Sequence, residues 1–152
     1  MSVQAVTGLA AIGLGMQPKD LMVWLQHEDS IYGTTIARDQ QAGLRKAGVQ
    51  VVGVNAYSAR AIDQTDVILR AKNANPDVWV TTGYTADCNL MLRTARDQGF
   101  KPRAMLITGA SDIFETLDAL GRDFLEGIFV VTYPRPDINP AYGPGATAYL
   151  AA

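Results

Sequence analysis

The side chains with the most obvious chemical potential are few. The chain holds one histidine, His27, and one cysteine, Cys88. No serine or cysteine stands near His27 in a pattern that makes a nucleophilic pair, and Cys88 falls inside a helical pattern where it reads as a small buried residue. One histidine and one cysteine cannot make a zinc site of the usual nitrogen and sulfur ligands, and a lone cysteine rules out an internal disulfide. Asp63 and Asp66 are close in sequence but occupy a helix start, where acids ordinarily complement the helix dipole. No G-x-G-x-x-G follows the first predicted strand, since Gly8, Gly13 and Gly15 precede it. There is also no G-x-x-x-x-G-K-[ST] phosphate loop and no G-x-S-x-G nucleophile elbow. These residues support neither an enzyme nor a metal or cofactor.

What remains is chemistry suited to recognition. Three stretches carry hydroxyls, a tyrosine or a helix start at the exit of an apolar run: Asp29-Ser30-Ile31-Tyr32, Thr82-Gly83-Tyr84-Thr85 and Thr108-Gly109-Ala110-Ser111-Asp112. Tyrosine offers a flat apolar face and a polar tip at little entropic cost. The candidate contacts are therefore Tyr32, Tyr84, Ser30, Thr85, Ala110, Ser111 and Asp112. The plainer alternative makes the Ser, Thr and Asp residues helix caps and leaves the tyrosines snorkelling at the surface.

The elements that must position these turns alternate regularly. Residues 2–15 predict an Ala-rich, buried first helix ended by Gly13, Gly15 and Pro18. Leu21–Gln26 is a continuous apolar run of strand length, as in a strand buried on both faces. Ile36, Ala37, Leu44 and Ala47 share one face of a helix that Gly48 ends, and Val49–Val54 is a β-branched strand. Asp63 is placed to cap a helix running to Ala74, and Asp77–Thr82 is a third strand. A helix over about 86–98 buries Leu90, Met91, Thr94 and Ala95, followed by a fourth strand, Ala104–Ile107. Asp112 and Glu115 suggest a capping box for a helix to Leu120, and Ile128–Thr132 is a fifth strand. Five strands alternating with helices predict a three-layer α/β/α domain with a mostly parallel, Rossmann-like sheet. In such sheets ligands bind outside the carboxyl ends of the strands, where all three polar stretches fall.

Composition adds limits. The 152 residues are 48% hydrophobic with formal net charge −2, which fits a single globular domain and gives no basic footprint for nucleic acid or anionic membrane. Val6–Met16 lacks the basic residues that precede a signal-peptide core and is too short to span a membrane. After Tyr133 the regularity fails: Pro134, Pro136, Pro140, Gly143, Pro144 and Gly145 crowd together, and only Ala146–Ala152 could resume a helix. This divides the chain into a lobe, 1–133, and a Pro/Gly-rich stub, 134–152.

Residues 19–133 resemble the second lobe of type I periplasmic binding proteins of the branched-chain amino acid transporter group. The resemblance is carried by D-x-x-Y-G (Asp29–Gly33), A-G-V-x-V-V (Ala47–Val52), D-x-T-D (Asp63–Asp66), N-P-D-V (Asn75–Val78), T-G-Y-T-A-D (Thr82–Asp87), R-x-x-G-F (Arg96–Phe100) and L-E-G-I (Leu125–Ile128), in that order. It implies a two-lobed, extracytoplasmic protein that closes by hinge motion on a small ligand and delivers it to the membrane permease of an ABC-type transporter. It also places Tyr32 and Tyr84 at positions similar to ligand-contacting tyrosines. Family members that bind amino acids commonly carry a Glu after the fourth strand to pair with the ligand ammonium. Here that loop reads Thr108-Gly109-Ala110-Ser111, and the nearest acid, Asp112, stands at a cap position. Because an unpaired buried ammonium is costly, a carboxylate, aromatic acid or amide without an amine fits better. The resemblance further implies a missing first lobe, with the stub as a crossover towards it and an exposed inter-lobe face able to self-associate. Two other readings keep the fold: a ligand-sensing module of a receptor or regulator, and a small flavodoxin-like enzyme, which the absent phosphate loop disfavours.

Overall fold

Every residue of the third strand is buried, so both faces of the sheet must be covered. The computed structural model, which describes residues 2–110 and 114–131, shows how. Helix α1 (Ser2–Gly8) precedes β1 (Met22–Glu28), α2 (Ile31–Lys46) and β2 (Gln50–Tyr57). Then come α3 (Thr65–Ala74), β3 (Val78–Thr82), α4 (Thr85–Asp97), β4 (Ala104–Thr108), α5 (Phe114–Leu120), α6 (Arg122–Leu125) and β5 (Ile128–Val131). The five strands form one all-parallel sheet in the order β2-β1-β3-β4-β5. On one face, Val6 of α1, Ala10 just after it and Leu44 of α2 pack against Val23, Leu25, Val78, Val80 and Leu106. On the other, Ile68 of α3 and Met91 and Leu92 of α4 pack against Trp79, Met105 and Ile107. Alternate residues of β3 thus feed opposite cores, and each large side chain buried this way contributes roughly 1.5–3 kcal/mol.

This is the three-layer architecture expected from the alternating pattern, with several local departures. The first helix is α-helical only to Gly8; Leu9–Gly13 continues as a wider π turn, with Leu14 N–H reaching the Leu9 carbonyl at 3.0 Å. It lies along the sheet rather than inside it: Val6 and Ala10 are fully buried, Val3, Ala5 and Leu9 pack partly buried beside them, and Ile12 is 90% exposed. Strand β1 starts one residue later than the apolar run suggests and continues through His27, which pairs with both neighbours, and Glu28, which pairs with Tyr57 of β2. Strand β2 likewise runs on to Tyr57; it is an edge strand with alternating exposure. The cap of α3 is Gln64, one residue after Asp63, whose carboxylate instead accepts the Thr65 N–H at 2.8 Å. Ala47 falls beyond the last turn of α2 and is exposed. In α4 the deepest positions go to Cys88, Met91, Leu92 and Ala95, with Leu90 and Thr94 half-buried. Short α6 was not evident from the apolar spacing. The boundary at 133, the stub and the Asp112 capping box lie outside the described residues.

Candidate functional site

The strand order places a switch point between β1 and β3. From β1 the chain crosses to β2 on one side, and from β2 it returns past β1 to β3 on the other. The turns leaving these two strands therefore diverge and open a crevice at their carboxyl ends. Tyr32 and Tyr84 stand there with their rings stacked, centroids 5.8 Å apart and planes 27° apart. Tyr84 is half-exposed, and Tyr32 is partly buried.

The first turn is built on a buried acid. Glu28, the last residue of β1, is 1% exposed. Its carboxylate accepts the Ser30 N–H at 2.6 Å, the Ser30 hydroxyl at 2.7 Å and the Gly33 N–H at 2.6 Å. Burial pushes the carboxyl up, but the Ser30 hydroxyl, the two N–H groups and the neighbouring His27 together hold it below its ordinary value. Ser30 caps α2, accepting the Tyr32 N–H at 3.2 Å. Gly33 is required by close approach, since a Cβ there would lie 2.3 Å from the Glu28 carbonyl oxygen and 2.7 Å from its carboxylate. The Y-G pair is thus a ring followed by the space that lets the helix start against Glu28.

The second turn repeats the device. Asp87, in the first turn of α4, is buried and accepts the Tyr84 N–H at 2.9 Å with one oxygen and the Tyr57 hydroxyl at 2.6 Å with the other. Burial, with Cys88 and Asp87 beside it, pushes the Tyr57 hydroxyl far above its ordinary value, so it stays a donor. Burial and the Asp87 charge push the Cys88 thiol up to about 12, against smaller opposing contacts from Tyr57 and Thr81. Cys88 is therefore a protonated core residue, not a nucleophile.

The third turn meets the first through a glycine. Gly109 has φ +77°, a region that L side chains rarely adopt, and a Cβ on it would lie 2.2 Å from the Tyr32 hydroxyl oxygen. The Tyr32 ring thus reaches from the start of α2 across to the end of β4, stacking on Tyr84, the cap residue of α4.

Of the seven residues singled out by sequence, the structure brings Tyr32, Tyr84, Ser30, Thr85 and Ala110 to this rim. Ser30 spends its hydroxyl on Glu28 and on the Tyr32 N–H. Thr85 opens α4 and is half-buried. The Ala110 methyl is buried in the core, so that residue offers only its backbone. Ser111 and Asp112 lie outside the described residues. His27 is buried, with its Nδ1 2.9 Å from the Glu28 carbonyl oxygen. Sequence reasoning passed over Glu28, Tyr57, Asp87 and Gly109. The acid three residues after Tyr84 was the one legible signal, being an N3 capping position. No group of three or more potential metal ligands is found among the described residues, and none of their helices is long and apolar enough to cross a membrane. A separate groove of about 400 Å³, nearly all apolar, lies away from the rim between α1 and the β4–β5 side, lined by Ala5, Leu9, Ile12, Leu106 and Phe129 among others.

Comparison with known proteins bears on the family and the fold. Residues 4–152 match the model of a family described as periplasmic binding protein. The Leu/Ile/Val-binding protein homolog 8 of Brucella abortus (strain 2308) is 33% identical over 148 residues, covering 97% of this chain and 36% of its own length. Homolog 7 of the same strain is 31% identical over 153 residues, covering 100% of this chain and 38% of its own. In fold, the chain is similar to the crystal structure of a leucine-binding protein from Thermotoga maritima MSB8, with TM-score 0.75 and 23% identity over 98% of this chain and 40% of that one. The chain spans little more than a third of the length of these relatives. Its motifs, its sheet and these matches agree: the chain belongs to the type I periplasmic binding protein family.

Proposed function

We propose that this chain is one lobe of an extracytoplasmic solute-binding protein that closes over a small ligand and passes it to the permease of an ABC-type transporter. The observation that carries this reading is the Tyr32–Tyr84 stack at the β1–β3 switch point, with the Tyr32 hydroxyl over Gly109. Three turns from separate strands converge on one rim, and the exposed ring of Tyr84 is a ready wall for a ligand. Tyr32, Tyr84, Thr85 and the Ala110 backbone are the proposed contacts. Ser30 serves chiefly to hold Tyr32, and Ser111 and Asp112 complete the set on sequence grounds.

The ligand class follows from the charges. In the described parts of the three turns, the buried acids Glu28 and Asp87 are committed to the turns themselves. Asp29 is exposed beside them. A lobe arranged this way favours a small carboxylate, aromatic acid or amide over one whose ammonium needs a buried partner. The relatives' names point to leucine, isoleucine and valine, so branched-chain amino acids are the natural comparison.

The test is a thermal-shift panel on a two-lobe protein containing this chain, using leucine, 4-methylpentanoate, benzoate and their amides. A ligand-dependent rise in Tm that Tyr84→Ala abolishes supports the proposal. No shift across the panel, or one unchanged by Tyr84→Ala, overturns it.

A further inference from the structure

Tyr57 and Asp87 form a buried pair that neither the fold nor ligand contact requires in this form. Capping α4 needs only one carboxylate oxygen of Asp87, the one that accepts the Tyr84 N–H at 2.9 Å. The other oxygen accepts a hydroxyl from Tyr57, at 2.6 Å. Tyr57 ends β2, which is separated from β3 by β1 in the sheet. Its hydroxyl therefore reaches past the end of β1 to the turn after β3, where it also lies 3.4 Å from the Thr82 carbonyl oxygen. Gly83 closes the arrangement from below: a Cβ there would stand 2.1 Å from the Tyr57 hydroxyl oxygen and 2.6 Å from Asp87 Oδ2. The peptide that carries Tyr84 is thus fixed by a carboxylate in its own helix, a hydroxyl from a distant strand and a residue with no side chain.

The consequence falls on the Tyr84 ring. That ring is half-exposed and stacks on Tyr32. For a half-exposed ring, where its backbone is held is a main determinant of its place. We propose that Tyr57 and Asp87 are positioning residues of the cleft, tethering the Gly83–Tyr84 turn to β2 so that the Tyr84 ring stands against Tyr32 without either residue touching ligand. This deepens the proposed function and rests on it for its importance to binding. The positioning itself is read without ligand, so the two can fail separately.

The experiment uses the full 152-residue chain with isotopically labelled tyrosine, following the nuclear Overhauser contact between the Tyr32 and Tyr84 rings, with Tm recorded in parallel. Tyr57→Phe removes only the tethering hydroxyl. Asp87→Ser keeps a cap for the Tyr84 N–H but is too short to serve Tyr57 as well. Both are expected to lose the ring contact while the rest of the spectrum stays folded. Asp87→Asn is expected to restore it, because an amide can accept from Tyr84 and donate to a Tyr57 hydroxyl that turns to the Thr82 carbonyl. A variant that lowers Tm but keeps the wild-type ring contact shows a purely structural pair and overturns the inference. If Tyr57→Phe does not fold, Asp87→Ser decides in the same way. A two-lobe protein containing this chain that shows the ring contact yet binds no solute would refute the proposed function and leave this inference standing.

Discussion

Tyr32 and Gly109 meet at the end of the sheet: the tyrosine hydroxyl occupies the space where any side chain at 109 would begin, 2.2 Å from the position of its Cβ. The contact joins the turns after β1 and β4 across β3, the strand between them. Gly109→Ala should therefore displace Tyr32 as well as strain a backbone at φ +77°. The backbone penalty alone is about 1–2 kcal/mol. Urea denaturation will give the stability loss, and the Tyr32–Tyr84 ring contact should weaken with it.

Glu28 gives the protein a pH-dependent element. Its folded carboxyl titrates below the ordinary value of 4.5, so it adds stability that is fully present above that value and is lost as pH falls through the folded pKa. Glu28→Gln keeps the size but turns a donor towards the Ser30 N–H. At neutral pH the variant should be less stable by about 2 kcal/mol, the range of a hydrogen-bond set to a charged group. In urea melts the deficit should hold constant from neutral pH to about 4.5 and shrink only below it, as the folded carboxyl titrates.

Gly33→Ala tests the turn independently of charge. A methyl there collides with the Glu28 carbonyl and carboxylate, neither of which can move without breaking the start of α2. Overpacking of this kind costs about 1–3 kcal/mol. The same substitution at Gly8, where nothing lies within 4 Å of the added carbon, should leave the unfolding midpoint unchanged or slightly raised.

Cys88 should be inert in the folded protein. With its thiol fully buried and pushed up to about 12, it has no thiolate to offer at mildly alkaline pH. Iodoacetamide should label it only after denaturant is added. Rapid labelling under native conditions would mean that α4 opens locally and that the Tyr84 turn is far looser than its hydrogen bonds imply.

The sheet was largely legible because its information is periodic. Runs such as Val78–Val80 and Ala104–Ile107 declare strands buried on both faces, and the intervening helices carry apolar stripes at their own spacing. Tyr32 and Tyr84 were legible for a related reason, since a turn that follows a buried strand must lie at the rim. Partners that depend on strand order were not legible. Nothing local says that Tyr57 reaches Asp87, because that contact exists only once β2 is placed at the edge and β1 beside β3. Gly109 looked like an ordinary turn glycine for the same reason, its constraint coming from a side chain far away in sequence. The widening at Leu9–Gly13 was not legible, because Gly8 and Gly13 do not distinguish an α turn from a π turn.

The central claim is that the rim carrying Tyr32 and Tyr84 meets the ligand. The most direct measurement is an amide chemical-shift titration of the chain with leucine, 4-methylpentanoate and benzoate at millimolar concentration. Residues 30–33, 83–86 and 109–110 should move together, more for an acid without an amine than for leucine, and Tyr84→Ala should remove the response. Shifts confined to the apolar groove around Leu9 and Phe129, or no saturable shifts at the rim with any of the three, would contradict it.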